Sequence, residues 1–382
     1  MNLHLTDLKK VQLAKAIQQL AFWMPIAFLY YRAQGYTDNQ IYTLLSTLQL
    51  FMVILEYPTG VIGDVFGHKL SVQIGYLLGG ISFLILGSST NIPYEWTYII
   101  LLIFAAGSAF ISGSDVALLH SISKDFKKDM SWSNQFAGWF QSAGLVIGGL
   151  LAVINLQIPF ILTGIAFLIS FFIIWNVKPK KVEKSEELGM WQTALLGMKE
   201  SFLNMKIFFP IFISSIVLMY LISEKWVLPE VFTRSQIPIA LFGVTTALVF
   251  LFRSQASAIY RKIGEQPYWI PILGMILSSI LISFNYINIL GLFLIYGFAA
   301  FITTQTDVTI NEKVDGRARA SVVSFRNLLV RFINSPYLLI ISFASANMAF
   351  EGVNLVMTAT LSIFIILVVV INKIRMVKNK AI

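Results

Sequence analysis

The stretch "EYPTGVIGDVFGHKL", Glu56 to Leu70, begins in an apolar run and ends in a dense polar turn. It crosses Pro58, the glycines Gly60, Gly63 and Gly67, a single acid at Asp64, and the basic pair His68 and Lys69. Glycine at these positions permits close approach and unusual dihedrals, so the chain can reverse within a few residues. An acid at a helix end can accept from the unpaired N–H groups that open a neighbouring helix.

The composition around this turn sets its solvent. The chain has 382 residues, 57% hydrophobic and 12% charged, with a mean hydropathy of +0.76. Soluble domains carry about 25% charged residues. Half that charge cannot coat a water-facing globule of this length, so the expected solvent is the lipid bilayer. Thirty-one Phe and eight Trp suit a lipid-facing surface with interfacial anchors. The N-terminal "MNLHLTDLKKVQLAK" leads into a full-length apolar stretch without a small-residue cleavage site, so no cleavable leader is expected.

The net charge is +9. The basic residues cluster in short loops between apolar runs, without aromatic-basic surface motifs, which argues against nucleic acid as a partner. There is no cysteine, and His4, His68 and His120 form no metal-ligand spacing. No metal site is expected.

A spanning helix needs about 20 apolar residues. On that unit the sequence predicts twelve helices, near 11–33, 39–62, 70–88, 97–119, 135–154, 159–177, 207–228, 237–260, 269–285, 289–309, 321–344 and 353–373. Lys and Arg concentrate in "SKDFKKD" (123–129), "KPKKVEK" (178–184), "YRKIGEQ" (260–266), "DGRAR" (315–319) and the "KIRMVKNK" tail, all on one side. The opposite loops, "SSTNIPYE" and "SANMAFEG" among them, hold only Arg234. The positive-inside rule then puts both termini and the central loop in the cytoplasm of a multi-pass cell-membrane protein.

The central loop divides the chain into a six-helix bundle over 1–177, a linker over 178–206 and a second six-helix bundle over 207–382. In the linker, Leu188, Trp191, Leu195, Met198, Phe202 and Met205 recur at three- and four-residue steps. That is an amphipathic helix whose apolar face rests on lipid at the inner surface. The halves are faintly repeated: "SDVALLHS" (114–121) echoes "TDVTINEK" (306–313), and Gly67 aligns with Gly264, which sets Arg253 opposite Glu56.

Twelve helices in two halves, with a cytoplasmic Gly-Asp turn between helices two and three, resemble the major facilitator superfamily. Gly60, Asp64, Gly67 and Lys69 match the family's loop; Val65 stands where a basic residue is usual. The resemblance implies an all-α fold of two pseudo-symmetric six-helix bundles and transport by alternating access. It implies that Asp64 latches an inner gate onto the start of helix eleven, where Arg326 and Arg331 lie, and that helix two faces helix eleven, pairing Glu56 with Arg331 either functionally or as a static pair that only positions helices. Helices one, four, seven and ten would line the central cavity.

Ionisable residues inside a membrane are costly and point to function. Asp115 in helix four and Asp307 in helix ten could each hold a cation or a proton, or could simply face cytosolic water. Glu224, beside Lys225 near the outer end of helix seven, is a further proton candidate. Gln19, Trp23, Tyr220 and Tyr296, with Ser and Thr on helices four, seven and ten, suit an amphipathic organic substrate.

No G-x-x-x-x-G-K-[ST] loop occurs, so transport is expected to be secondary, without cofactor and with protons as the coupling ion. "GLVIGG" supplies Gly144, Gly148 and Gly149 in helix five and resembles the exporters' glycine motif, with Leu145 in place of proline. Close helix packing explains the same glycines. The exporters' usual helix-four arginine is absent. Two readings stand: a proton-coupled, efflux-type exporter of small amphipathic compounds acting as a monomer, or an uptake symporter or uniporter for a nutrient or metabolite. No Ser–His, His–Glu or metal constellation lies in the spans, so no enzyme is expected.

Overall fold

The computed structural model describes residues 6–178, 190–314 and 316–380. The 179–184 part of the central basic loop, Leu188 and Asp315 lie outside the described residues. The chain runs through α1 (Asp7–Gln18), a 3₁₀ turn (Met24–Ile26), α2 (Ala27–Ala33), α3 (Asp38–Phe66), α4 (His68–Ser88), α5 (Tyr94–Ile111) and α6 (Ser114–Ile122). It continues through α7 (Phe126–Ala152), α8 (Ile158–Trp175), α9 (Met190–Leu203), α10 (Met205–Arg234), α11 (Ile239–Ser254) and α12 (Ala256–Ile263). It ends with α13 (Trp269–Ile282), α14 (Asn288–Lys313), α15 (Gly316–Asn347) and α16 (Phe350–Lys380).

Helix is the form an apolar chain must take here, because each backbone N–H and C=O is satisfied within its own segment. Among the described residues, nine helical segments are long and apolar enough to cross a membrane. The expected first span is broken at residues 19–26, into α1 and α2. The expected fifth, α7, carries Lys127, Lys128 and Asp129 in its opening turn. The expected ninth, α13, is an apolar helix of 14 residues.

Glycines at positive φ punctuate the helices. Gly113 (φ +77°) breaks the fourth span into α5 and α6. Gly67 (φ +99°, ψ 140°) separates α3 from α4, and Gly264 (φ +73°, ψ −165°) ends α12. The last two share an extended positive-φ conformation that is essentially reserved for glycine.

The chain folds as two compact units. Among the described residues, the first comprises 6–36, 47–178, 190 and 238–247; the second comprises 37–46, 191–237, 248–314 and 316–380. In the first, Gly75 and Gly107 bring the backbones of α4 and α5 into contact, and α4 packs along α8. Small residues allow such approach where the hydrophobic effect cannot hold helices together. In the second, α10 is buried along most of its length and packs on α14, α15 and α16. There the 37–46 segment meets α15: Asn39 Nδ2 donates to the Ser342 carbonyl at 2.9 Å, and Ser46 Oγ to the Ser335 carbonyl at 2.7 Å.

The linker helix α9 belongs to the second unit from Trp191 onward. Leu195 and Met198 are exposed, as an apolar face resting on lipid would be. The opposite side is docked: Gly197 sits directly on the Ser321 backbone with no room for a side chain. Phe202 joins a ring cluster with Phe208, Phe212 and Phe325.

Candidate functional site

The Glu56–Leu70 stretch is mostly helix. α3 runs past Pro58, Gly60 and Gly63 to Phe66, beyond the expected end near 62. The reversal falls on Gly67 alone, and α4 begins at His68. Gly60 and Gly63 are buried; a Cβ on Gly63 would stand 3.0 Å from Ser114 Oγ. Lys69 Nζ donates to the Trp175 carbonyl at 2.8 Å, capping the negative end of α8. Ser112 Oγ donates to Glu56 Oε1 at 3.2 Å, beside the Gly113 break. These residues knit α3, α4, α6 and α8 together at one end of the first unit. Asp64 is exposed, and no ion pair reaches it among the described residues.

The intramembrane charges fall into pairs. Lys15 Nζ stands 3.1 Å from Asp115 Oδ2 and donates to Asn134 Oδ1 at 3.3 Å. Asp115 is therefore already matched by a cation on α1. Arg326, expected on the Asp64 latch, donates from Nη1 to Asp307 Oδ1 at 2.6 Å within the second unit. Arg331 on α15 and Arg253 on α11 are half-buried, and Arg253 acts electrostatically on Tyr296.

The helix-five glycines are used for packing. A Cβ on Gly144 would lie 2.9 Å from the Ala21 nitrogen, and Gly148 abuts the Phe22 carbonyl. Both seat the unwound 19–26 break of the first span against α7. Gly149 approaches Gly243 of α11, a Cβ there standing 2.8 Å from its nitrogen. Gln19 is the C-cap of α1. The Trp23 ring lies 5.4 Å from Phe83 and 6.2 Å from Phe160.

Glu224 stands apart from the paired charges. It is fully buried in α10 (0% exposed), and neither carboxyl oxygen has a hydrogen-bond partner among the described residues. Its neighbour Lys225 turns to the Trp226 ring, 5.5 Å from its centroid. Three phenols surround it electrostatically: Tyr220 one turn earlier on α10, Tyr296 on α14 and Tyr337 on α15. The Tyr296 hydroxyl is likewise buried without a partner among those residues.

A chain of hydrogen bonds leads away from Tyr220. Tyr220 Oη lies 2.5 Å from Ser279 Oγ, which lies 2.5 Å from Thr358 Oγ1. Asn354 Nδ2 donates to the Ser279 carbonyl at 2.7 Å and to Ser283 Oγ at 2.9 Å. Ser223, the residue before Glu224, donates from Oγ to Asn334 Oδ1 at 2.7 Å. An isolated buried carboxylate is expensive, and here Tyr220, Ser279 and Ser223 bond to other groups rather than to it. Sequence reasoning found Glu224, Tyr220 and Tyr296. It missed Lys15, Ser279, Asn334, Tyr337, Asn354 and Thr358, whose only signal was polarity inside apolar runs.

Comparison with known proteins fits this architecture. A sequence model of the Major Facilitator Superfamily matches residues 13–335. An uncharacterized MFS-type transporter of Methanocaldococcus jannaschii is 23% identical over 311 residues, covering 76% of this chain and 74% of the relative. The uncharacterized MFS-type transporter YxaM of Bacillus subtilis is 25% identical over 158 residues, 41% of this chain and 39% of the relative. The crystal structure of the nucleoside transporter NupG superposes with a TM-score of 0.74 at 14% identity, covering 97% of this chain and 99% of that one. A bacterial homologue of the lysosomal transporter Spinster gives 0.73 at 13% identity, covering 96% of each chain. At these identities the two structures speak to the fold.

Proposed function

The chain belongs to the major facilitator superfamily, whose members are transporters, and on that premise we propose that it is a proton-coupled secondary transporter of small amphipathic organic compounds, exporting them by alternating access. The observation that carries this reading is Glu224, a carboxyl fully buried in a spanning helix, with no partner among the described residues. Such a group is neutralised by taking up a proton or a cation, and a carrier needs a group that does so reversibly. Asp115 and Asp307 serve this role less well, because Lys15 and Arg326 already answer their charges. In this reading the protein works as a monomer in the cell membrane with both termini in the cytoplasm, and Gly60, Asp64, Gly67 and Lys69 form the inner-gate turn.

Uptake is the second reading of direction. The helix-five glycines are accounted for by their backbone contacts with residues 21–22 and Gly243, so "GLVIGG" no longer favours export over uptake. The same carboxyl would serve a symporter.

The test is reconstitution in liposomes of checked orientation, with lumenal pH followed under an imposed proton gradient. Lipophilic cations, neutral drugs and nucleosides are added in turn. Substrate-dependent proton flux that is lost in Glu224→Gln supports the reading. Flux opposite to the substrate means export, and flux with it means uptake. Proton flux unchanged in Glu224→Gln removes Glu224 from coupling.

A further inference from the structure

We infer that Tyr220 is a positioning residue that recognises Glu224 only when the carboxyl carries its proton, because a one-way chain of hydroxyls leaves the Tyr220 oxygen nothing to offer but lone pairs. The inference rests on the reading of Glu224 as the coupling group.

The direction of the chain follows from its far end. Thr358 Oγ1 donates to the Asn354 carbonyl at 2.9 Å, the usual i−4 bond of a helical threonine. A carbonyl only accepts, so the single Thr358 proton is spent there. Ser279 must then be the donor across the 2.5 Å contact with Thr358. With its own proton committed, Ser279 accepts from Tyr220 across the next 2.5 Å contact. The Tyr220 proton therefore points at Ser279, away from Glu224.

Tyr220 and Glu224 are four residues apart on α10, the spacing that stacks side chains on one helix face. The phenol is close enough to act on the carboxyl, and its proton, if free, would hold the ionised form. With that proton on Ser279, neither carboxyl oxygen has a hydrogen-bond partner among the described residues. A protonated carboxyl has the missing O–H and can donate to Tyr220; an ionised one cannot.

The other groups facing Glu224 form no hydrogen bond to it. Tyr296 from α14 and Tyr337 from α15 interact with it through space only, and Lys225 is turned to Trp226. α13 and α16 present Ser279, Asn354 and Thr358, none of which titrates. Arg253 on α11 acts on Tyr296 rather than on Glu224. Arrival of a proton would thus close a chain running from α10 through α13 to α16, and its departure would open that chain.

Infrared difference spectroscopy of the full-length protein in lipid nanodiscs tests this without a known substrate. The carboxyl C=O band that vanishes in Glu224→Gln is assigned to Glu224, and its intensity is followed against pH. Tyr220→Phe keeps the shape and deletes the acceptor. Its midpoint is expected to fall by about one pH unit, a ten-fold loss of proton affinity, the worth of one hydrogen bond. Ser279→Ala frees the Tyr220 proton to stabilise the ionised carboxyl, so its midpoint falls as well. A midpoint that rises in Tyr220→Phe would mean the phenol donates to the carboxylate, and an unchanged one that the two do not communicate; either overturns the inference and leaves Glu224 as the coupling group. A wild-type band that does not titrate at all would overturn both.

Discussion

Lys15 Nζ and Asp115 Oδ2 stand 3.1 Å apart, joining α1 to α6 in the first unit. Both side chains are mostly shielded, and removing one member leaves the other uncompensated. Asp115→Asn is expected to lower stability by about 3 kcal/mol, read as a fall in unfolding temperature in detergent. Adding Lys15→Met should recover much of the loss. Proton coupling should survive in the double variant.

The Asp307–Arg326 pair is shorter, at 2.6 Å, but Asp307 is 53% exposed. Exposed pairs contribute about 0–1 kcal/mol and are screened by salt. Asp307→Asn is expected to cost less than Asp115→Asn, with the difference from wild type shrinking as salt rises. Thermal unfolding at low and high ionic strength checks this.

Gly148 leaves no room for a Cβ against the Phe22 carbonyl, whereas Gly138 on the same helix has nothing near it. Gly148→Ala is expected to cost about 1–3 kcal/mol through forced displacement of the unwound segment. Gly138→Ala should gain up to about 1 kcal/mol from helix propensity. Opposite shifts in unfolding temperature from one substitution type on one helix would isolate packing from propensity.

At Gly67 the obstacle is conformation rather than space: φ is +99°, and a methyl added there would meet no atom within 4 Å. Gly67→Ala is expected to cost about 1–3 kcal/mol in backbone strain alone. Gly264→Ala should behave alike, since its φ is +73° with equally open surroundings. Chemical denaturation of both variants gives the comparison.

Glu224 is a stability liability if it is retained for function. Glu224→Met removes an unpartnered buried carboxyl and keeps the volume. The expected outcome is a gain of about 1–3 kcal/mol together with loss of proton-coupled flux. Lower stability would show that the carboxyl has a structural partner.

The all-helical membrane fold was legible because spanning length and loop charge are local properties, counted along the chain. Helix breaks were harder to place. Leu20 to Ile26 reads as a continuous apolar run with one proline, and its unwinding shows only in the structure, where glycines of α7 cradle it. The site was half legible. Glu224 announces itself as a charge in an apolar helix, but its lack of a partner depends on how Ser223, Tyr220 and Ser279 bond elsewhere. Asp115 and Glu224 look equivalent in sequence; Lys15, a hundred residues from Asp115, separates them.

The two glycine turns agree in backbone and differ in charge. Gly67 and Gly264 both turn the chain at positive φ with an extended ψ. Counting back from each glycine by the same steps, Asp64 corresponds to Arg261 and Glu56 to Arg253. The acids that lead into one turn thus stand where arginines lead into the other, so the shape of the turn does not dictate the sign of the charge beside it.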